Sequence, residues 1–332
     1  MKNLKNILLA QLLFSALFFS CREPIDINVP DTEKKIVLNG LINPDSVISV
    51  NLSKSISILD KDDKIVFLEN ADVKIYENDV FKETLQYDTN GYYRGSIYPQ
   101  IGKIYKVTAK YQNLDAVDAE TNILNPPIIS DINSDPQFQQ ETQTWYNSDT
   151  GEPFDTTLYT LDRLDVSITI DDPPADENYY FLTFTANLAQ YQFYPPDYEP
   201  VFVGYKMTSI DYDILNMNWE NHYYSRNMNG YVFSDNLFNG TNYTLNASVR
   251  TGNYAGNGYT EADNTLDKIY VNLHSVTKDF YDYVISFSKY QDIDGNPLAE
   301  PVNIKSNITG GFGFFSGYST KKDSIMIVFP NN

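Results

Sequence analysis

Hydrophobic and polar positions alternate with a period of two along most of this chain, which is the pattern of strands with one wet face. Over residues 103–111, Tyr105, Val107, Ala109 and Tyr111 fall on one side, while Lys106, Thr108 and Lys110 fall on the other. The same spacing recurs in Ala71, Val73 and Ile75, in Val166, Ile168 and Ile170, in Tyr243, Leu245, Ala247 and Val249, and in Ile269, Val271 and Leu273. Turn residues such as Asn90-Gly91, Asn239-Gly240 and Asp294-Gly295-Asn296-Pro297 punctuate these runs, so the expected class is mostly β, built as β-sandwiches. One stretch breaks the rule. Phe280, Tyr283, Val284 and Phe287 lie at i, i+3, i+4 and i+7, which predicts a helix over 277–290 capped by Thr277 and packed on a sheet.

Asn125-Pro126-Pro127 is the expected boundary, because paired prolines force an extended connection after a full set of strand-like runs. The chain therefore reads as two β-sandwich-like units. Residues 34–125 form an immunoglobulin- or transthyretin-like N-terminal sandwich, and residues 126–332 a larger β unit that carries the helix. Two stretches of the second unit resist the alternating pattern. Residues 136–157 are polar, contain Trp145 and Tyr146, and read as a long connecting loop for binding. Residues 190–224 hold ten aromatics in 35 positions, among them Tyr191, Phe193, Tyr194, Tyr198, Trp219, Tyr223 and Tyr224. Such rings offer large contact area at low entropic cost, for a sugar ring or a protein partner, or else they cover a sandwich edge.

The beginning of the chain supplies an address. Lys2 and Lys5 precede an uncharged apolar run over 7–19, then comes small Ser20 and then Cys21, the only cysteine. A signal peptide over 1–20 is expected, with Cys21 as a lipid attachment site and residues 21–33 as a tether. Phe18 stands where a bacterial lipobox usually has Leu. With Cys21 lipidated no disulfide can form, so packing must supply the stability.

The formal charge is -20, and loss of Lys2 and Lys5 with the signal makes it more negative. Such a field repels phosphate backbones and anionic lipid surfaces, so nucleic acid is excluded as a partner. The acids are dispersed and the aromatic content is 14%, which separates this folded chain from an acidic disordered tail.

Several runs carry a resemblance. Cys21-Arg22-Glu23-Pro24-Ile25-Asp26-Ile27-Asn28-Val29-Pro30, followed by Ile36-Val37-Leu38-Asn39-Gly40-Leu41-Ile42, resembles the opening of a family of Bacteroidota outer-membrane lipoproteins catalogued as domain-of-unknown-function family 4249. Asp172-Pro173-Pro174 with Asn178-Tyr179-Tyr180, and Phe233-Ser234-Asp235-Asn236-Leu237-Phe238-Asn239-Gly240, are similar to its middle. Phe280-Tyr281-Asp282-Tyr283, Pro297-Leu298-Ala299-Glu300-Pro301-Val302 and the run from Ser306 to Phe315 resemble its C-terminal signature in order and spacing. The family's genes often lie beside those of TonB-dependent outer-membrane transporters, so the resemblance implies a cell-surface accessory role. It brings no catalytic or ligand residues. Surface-directed lipoproteins of that phylum tend to have clustered acids after the cysteine, and here Arg22 and Pro24 interrupt Glu23 and Asp26.

Chemistry is sparse elsewhere. Gly310-Gly311-Phe312-Gly313-Phe314-Phe315-Ser316-Gly317 begins like a phosphate loop, but Ser316 replaces its last glycine and only fifteen residues follow. Those glycines instead suit bulges and close backbone approach in a packed terminal strand pair. His222 and His274 are the only histidines, and His274 reads as a surface strand residue out of phase with Ile269, Val271 and Leu273. Two histidines without a free cysteine do not make an ordinary zinc site, and no serine occupies a nucleophile elbow. Asp131-Ile132-Asn133-Ser134-Asp135 and Asp292-Ile293-Asp294-Gly295-Asn296 lack an EF-hand glycine at its sixth place, and Asp171-Asp172 reads as a turn with solvated acids.

The expected function is therefore non-catalytic, with no cofactor and no metal. It is that of a lipid-anchored outer-membrane surface protein that binds a β-barrel partner, first of all a TonB-dependent transporter. The alternatives are a structural subunit of a larger outer-membrane assembly or biogenesis complex, and a glycan- or peptide-acting enzyme.

Overall fold

The computed structural model describes residues 33–57, 60, 64–147, 150–174, 176–193, 200–216, 222–250, 264–293, 296 and 299–328. The chain divides into two units, Met1–Glu33 with Ile56–Asp63, and Lys34–Ser55 with Lys64–Asn332. In the first, the Ser57 N–H donates to an Asp60 carboxylate oxygen at 2.7 Å. All the elements below belong to the second.

Eight strands come first: β1 (Ile36–Ile42), β2 (Ser49–Lys54), β3 (Asp72–Glu77), β4 (Val80–Thr84), β5 (Gln86–Tyr87), β6 (Tyr92–Arg94), β7 (Ile104–Lys110) and β8 (Val117–Asn122). Longer ones follow: β9 (Ile128–Tyr146), β10 (Pro153–Asp171), β11 (Tyr179–Phe193), β12 (Pro200–Ser209), β13 (Tyr212–Ile214), β14 (His222–Ser225), β15 (Gly230–Ser234), β16 (Asn242–Arg250) and β17 (Asn264–Val276). Helix α1 (Lys278–Ile293) and strand β18 (Phe312–Met326) close the described chain. The protein is thus mostly β with one helix among the described residues.

Three sheets result. A large mixed sheet runs β14-β15-β11-β17-β18-β1-β2-β6-β5, with β12 also on β11, and two antiparallel sheets run β13-β16-β10-β9 and β4-β3-β7-β8. Each small sheet covers part of the large one, because alternate residues on both are apolar and need a dry partner. Leu38, Val50 and Leu52 meet Val73, Ile75, Tyr105, Val107 and Ala109 in one core. Val166, Ile168, Ile170, Leu245, Ala247 and Val249 meet Leu182, Phe184, Ala186, Ile269, Val271 and Leu273 in another. The predicted alternation is therefore the buried face in both.

Strand β18 joins these regions. It lies parallel to β1 over Val37↔Phe312 to Ile42↔Gly317 and antiparallel to β17 over Tyr318 to Met326. Phe315 enters the first core and Ile325 the second. The glycine run permits this approach: Gly313 has φ +106°, and an added Cβ there would lie 2.0 Å from the Leu38 carbonyl oxygen. Close backbone contact, and no phosphate loop, is what these glycines serve.

Helix α1 forms where the 3.6-residue period places it, with the Phe280 N–H donating to the Thr277 hydroxyl at 3.5 Å. That cap is in turn held by Ser316 on β18, Oγ to Oγ 2.7 Å. Phe280 and Val284 are buried against Tyr179, Phe181, Val232 and Val276, so the helix covers the sheet face opposite the second core. As a result β11 and β17 are buried on both faces, which only β-branched and aromatic residues on both registers could have signalled.

Candidate functional site

The stretch 136–157 is a pair of strands rather than a loop. Strands β9 and β10 pair from Tyr146↔Pro153 and Trp145↔Phe154 down to Ile128↔Asp171, with bulges between Leu161 and Arg163 and between Thr169 and Ile170; at the connecting end the Thr150 N–H reaches the Asn147 side-chain oxygen at 3.0 Å. Gly151, at the same end, has φ +72°. Pro136 sits within β9 opposite Leu164, which an edge strand tolerates because its N–H would face away from the ladder. Thr144, Thr156 and Thr157 favour strand, and Thr144 donates to Asp155 across it at 2.7 Å.

This ribbon outruns the described part of its sheet. Among the described residues, β16 accompanies β10 only over Arg163–Asp171 and residues 153–161 pair with β9 alone, a stretch of about 30 Å. Tyr146 at its tip is 71% exposed. Trp145 occupies the neighbouring register position.

The aromatic stretch 190–224 also resolves into strands. The end of β11 pairs with β12 at Tyr191↔Phe202 and Phe193↔Pro200, while among the described residues β17 accompanies β11 only as far as Gln190↔Asn264. Here a second ribbon runs past the described part of β17. Both leave from the same end, because the chain descends β10, crosses at 172–178 and ascends β11, with Leu161, Leu164 and Leu188 in one core. Tyr191 and Phe193 lie on that ribbon by their backbone positions. Tyr194, Tyr198 and Trp219 lie outside the described residues, as does Cys21.

The remaining rings serve the fold. Tyr212 is buried, stacks edge-on against Phe184 at 4.6 Å and donates its hydroxyl to the Leu182 carbonyl. Burial lifts its hydroxyl pKa well above the usual value. Tyr223 and Tyr224 stand on β14 beside Val232 and Tyr231, away from the two ribbons. Tyr224 packs on Tyr231 at 4.9 Å and bonds Asn229, and Tyr223 carries the Lys289 ammonium over its ring at 5.1 Å. These two candidates are therefore not brought together with Tyr146.

One acid expected in water is inside, and a second buried acid lies near it. Asp172 is buried and accepts the Tyr180 hydroxyl at 2.5 Å and the Gly240 N–H at 2.8 Å. The tyrosine beyond the Asp-Pro-Pro turn and the glycine of the 233–240 loop thus converge on one carboxylate. Asp235 is fully buried and takes the Asn178 N–H at 2.8 Å and its side-chain amide at 3.1 Å on one oxygen, leaving the other without a partner. Burial raises its pKa against the pull of the Asn178 bonds, and the Asp172 charge adds to the rise.

His274 is the other correction. It is half-buried between the Phe181 ring, at 5.5 Å, and the Tyr318 ring, at 5.4 Å, with Nδ1 2.8 Å from the Thr320 hydroxyl. The register had placed it on a wet face, but α1 makes that face dry, and burial pushes its pKa down to about 4. His222 lies on β14 opposite Phe233.

The outer face of the second core was missed as a unit. Asn133 and Asp135 on β9, Asp165 and Ser167 on β10, Asn246 on β16, and Leu215 with Asn216 after β13 line an open groove of about 460 Å³. Ser167 donates to Asn246 at 2.9 Å and Ser248 to Asp165 at 2.9 Å. Asp131-Ile132-Asn133-Ser134-Asp135 is strand here, and its polar alternation was the available signal. Among the described residues no group of three His, Cys, Asp or Glu is placed to hold a metal ion, and no helix is long and apolar enough to cross a membrane.

Comparison with known proteins gives one positive result. The family described as Domain of unknown function (DUF4249) matches residues 22–324. No curated protein matches the chain.

Proposed function

Because the chain belongs to the DUF4249 family over residues 22–324, we propose that it is a lipid-anchored, non-catalytic binding subunit at the outer-membrane surface. Its first-choice partner is a β-barrel, a TonB-dependent transporter. The observation that supports this reading is the β9–β10 ribbon, whose residues 153–161 have a strand on one side only among the described residues. A two-stranded hairpin without a covering layer is marginally stable in water, so a partner that supplies the missing layer gains binding from a segment the fold itself underuses. Tyr146 at the tip offers a ring with little entropy to lose. The ribbon formed by the ends of β11 and β12 leaves the same end of the sandwich and extends the same surface.

The anchor is Cys21, with residues 22–33 as the tether between lipid and fold. Acyl chains at about 0.8 kcal/mol per buried CH₂ supply the membrane affinity. Mild-detergent purification from the native membrane is the test. A stoichiometric β-barrel in the preparation is the expected result, and a preparation of this chain alone, retained in membranes after Cys21→Ala, would overturn both halves of the reading.

A further inference from the structure

Two unpaired strand edges face one cavity. Strand β9 ends its sheet, so its edge away from β10 carries no ladder partner among the described residues. Strand β18 is covered by β1 only up to Gly317 and by β17 on its other side, which leaves the β1 side open over residues 318–326. On this half of β18 the Ser324 N–H donates to the side chain of its neighbour Asp323 at 2.7 Å. A slot of about 380 Å³ lies between the edges, lined by Ile129, Ser130, Asp131, Ile132 and Ser134 on one side and 323–326 on the other.

The chemistry of the slot matches extended polypeptide. Its walls present rows of backbone N–H and C=O groups at the strand repeat, which only another backbone satisfies group for group. Ile325 is buried in the second core, with Ile129 and Ile132 packed against that core, so the surface left to the slot is mostly polar. Asp131 and Asp323 place carboxylates at the rim, which favours Lys or Arg flanking the inserted segment. A bulge between Thr169 and Ile170 leaves Ser130 outside the backbone pairing, with its hydroxyl on the Asp171 carboxylate at 2.7 Å, and the Asp323 cap occupies one edge donor. Both are devices by which a strand edge avoids indiscriminate pairing.

We infer that the slot between β9 and the outer half of β18 receives an extended segment of a partner polypeptide, with basic flanks, as an added β-strand. The inference rests on the reading that the protein works by binding another polypeptide, and it names the form that polypeptide takes.

The probe is the peptide acetyl-Lys-Val-Thr-Val-Thr-Val-Lys-amide, added at about millimolar concentration to the full chain while amide hydrogen exchange is followed by mass spectrometry. Exchange over 128–134 and 318–326 is expected to slow by about tenfold. A peptide N-methylated at alternate amides should slow neither. Ser324→Pro should lose the effect, since the proline ring obstructs the approach of an added strand at that edge. If that variant is destabilised, the N-methylated peptide on the wild-type chain decides alone. No slowing at either edge, or equal slowing by the N-methylated peptide, overturns the inference. Partner co-purification separates the two levels: a barrel retained by Ser324→Pro removes the slot from its recognition, whereas peptide protection in a chain that captures no barrel removes only the transporter reading.

Discussion

Strand β10 lives in two environments. Over Arg163–Asp171 it has β16 on one side and β9 on the other, and Leu164, Val166, Ile168 and Ile170 are buried beneath it. Among the described residues, 153–161 keep β9 but have no β16 beside them. Both stretches are strand, joined through a bulge between Leu161 and Arg163, so the difference lies in pairing and packing. Where both sides are covered the strand stabilises the fold; the stretch with one described neighbour is the one proposed for recognition.

The largest effect that sharpens this contrast is in the core. Ile168→Ala removes a fully buried side chain and should cost about 2–5 kcal/mol. Asp155→Ala, an exposed position in the 153–161 part, should stay within about 0.5 kcal/mol. Chemical denaturation of both variants checks the pair, and equal losses would erase the distinction between the two halves of β10.

The next effect depends on pH. Burial depresses the His274 pKa from 6.5 to about 4, so the neutral ring is the one the fold prefers. Stability from this group is present above 6.5 and is lost as pH falls toward 4. The loss should reach about 1–3 kcal/mol after discounting for partial exposure, and His274→Gln should flatten that part of the stability profile. Asp235 works in the opposite direction. Its pKa is raised above the ordinary 3.8, so its contribution is full below that value and is lost as pH rises through the raised one. Asp235→Asn should therefore be more stable than the wild type at neutral pH, with the gain vanishing in acid, as thermal unfolding across pH would show.

The smallest expected change in stability has the largest meaning for function. Tyr146→Ala alters a ring at the tip of the ribbon that is mostly in water, so unfolding should shift by no more than about 0.5 kcal/mol. Partner capture should fall by about tenfold or more, as for a contact ring at an interface. An unfolding shift above 2 kcal/mol would instead place the ring in a packed environment.

Period-two alternation made the interior legible wherever one face is dry and the other wet, as at Val166, Ile168 and Ile170 or at Tyr105, Val107 and Ala109. It failed in both other regimes. Residues 136–157 are mostly polar in both registers, so no hydrophobic alternation marks them as strand. His274 is covered on both faces, because α1 packs where the β17 register alone implied water. The burial of Asp172 was hidden for another reason: its partners, Tyr180 and Gly240, are 8 and 68 residues away. The parallel pairing of β1 with β18 joins the beginning of the described chain to its end, and local pattern carries no information about it.

The central claim is that the β9–β10 ribbon is a contact surface. The most direct measurement is parallel mild-detergent purification of the wild-type chain and of a variant in which residues 142–157 are replaced by a short turn. The account predicts a stoichiometric β-barrel with the wild type and none with the shortened chain, the two unfolding at the same temperature. An undiminished barrel on the shortened chain would contradict it.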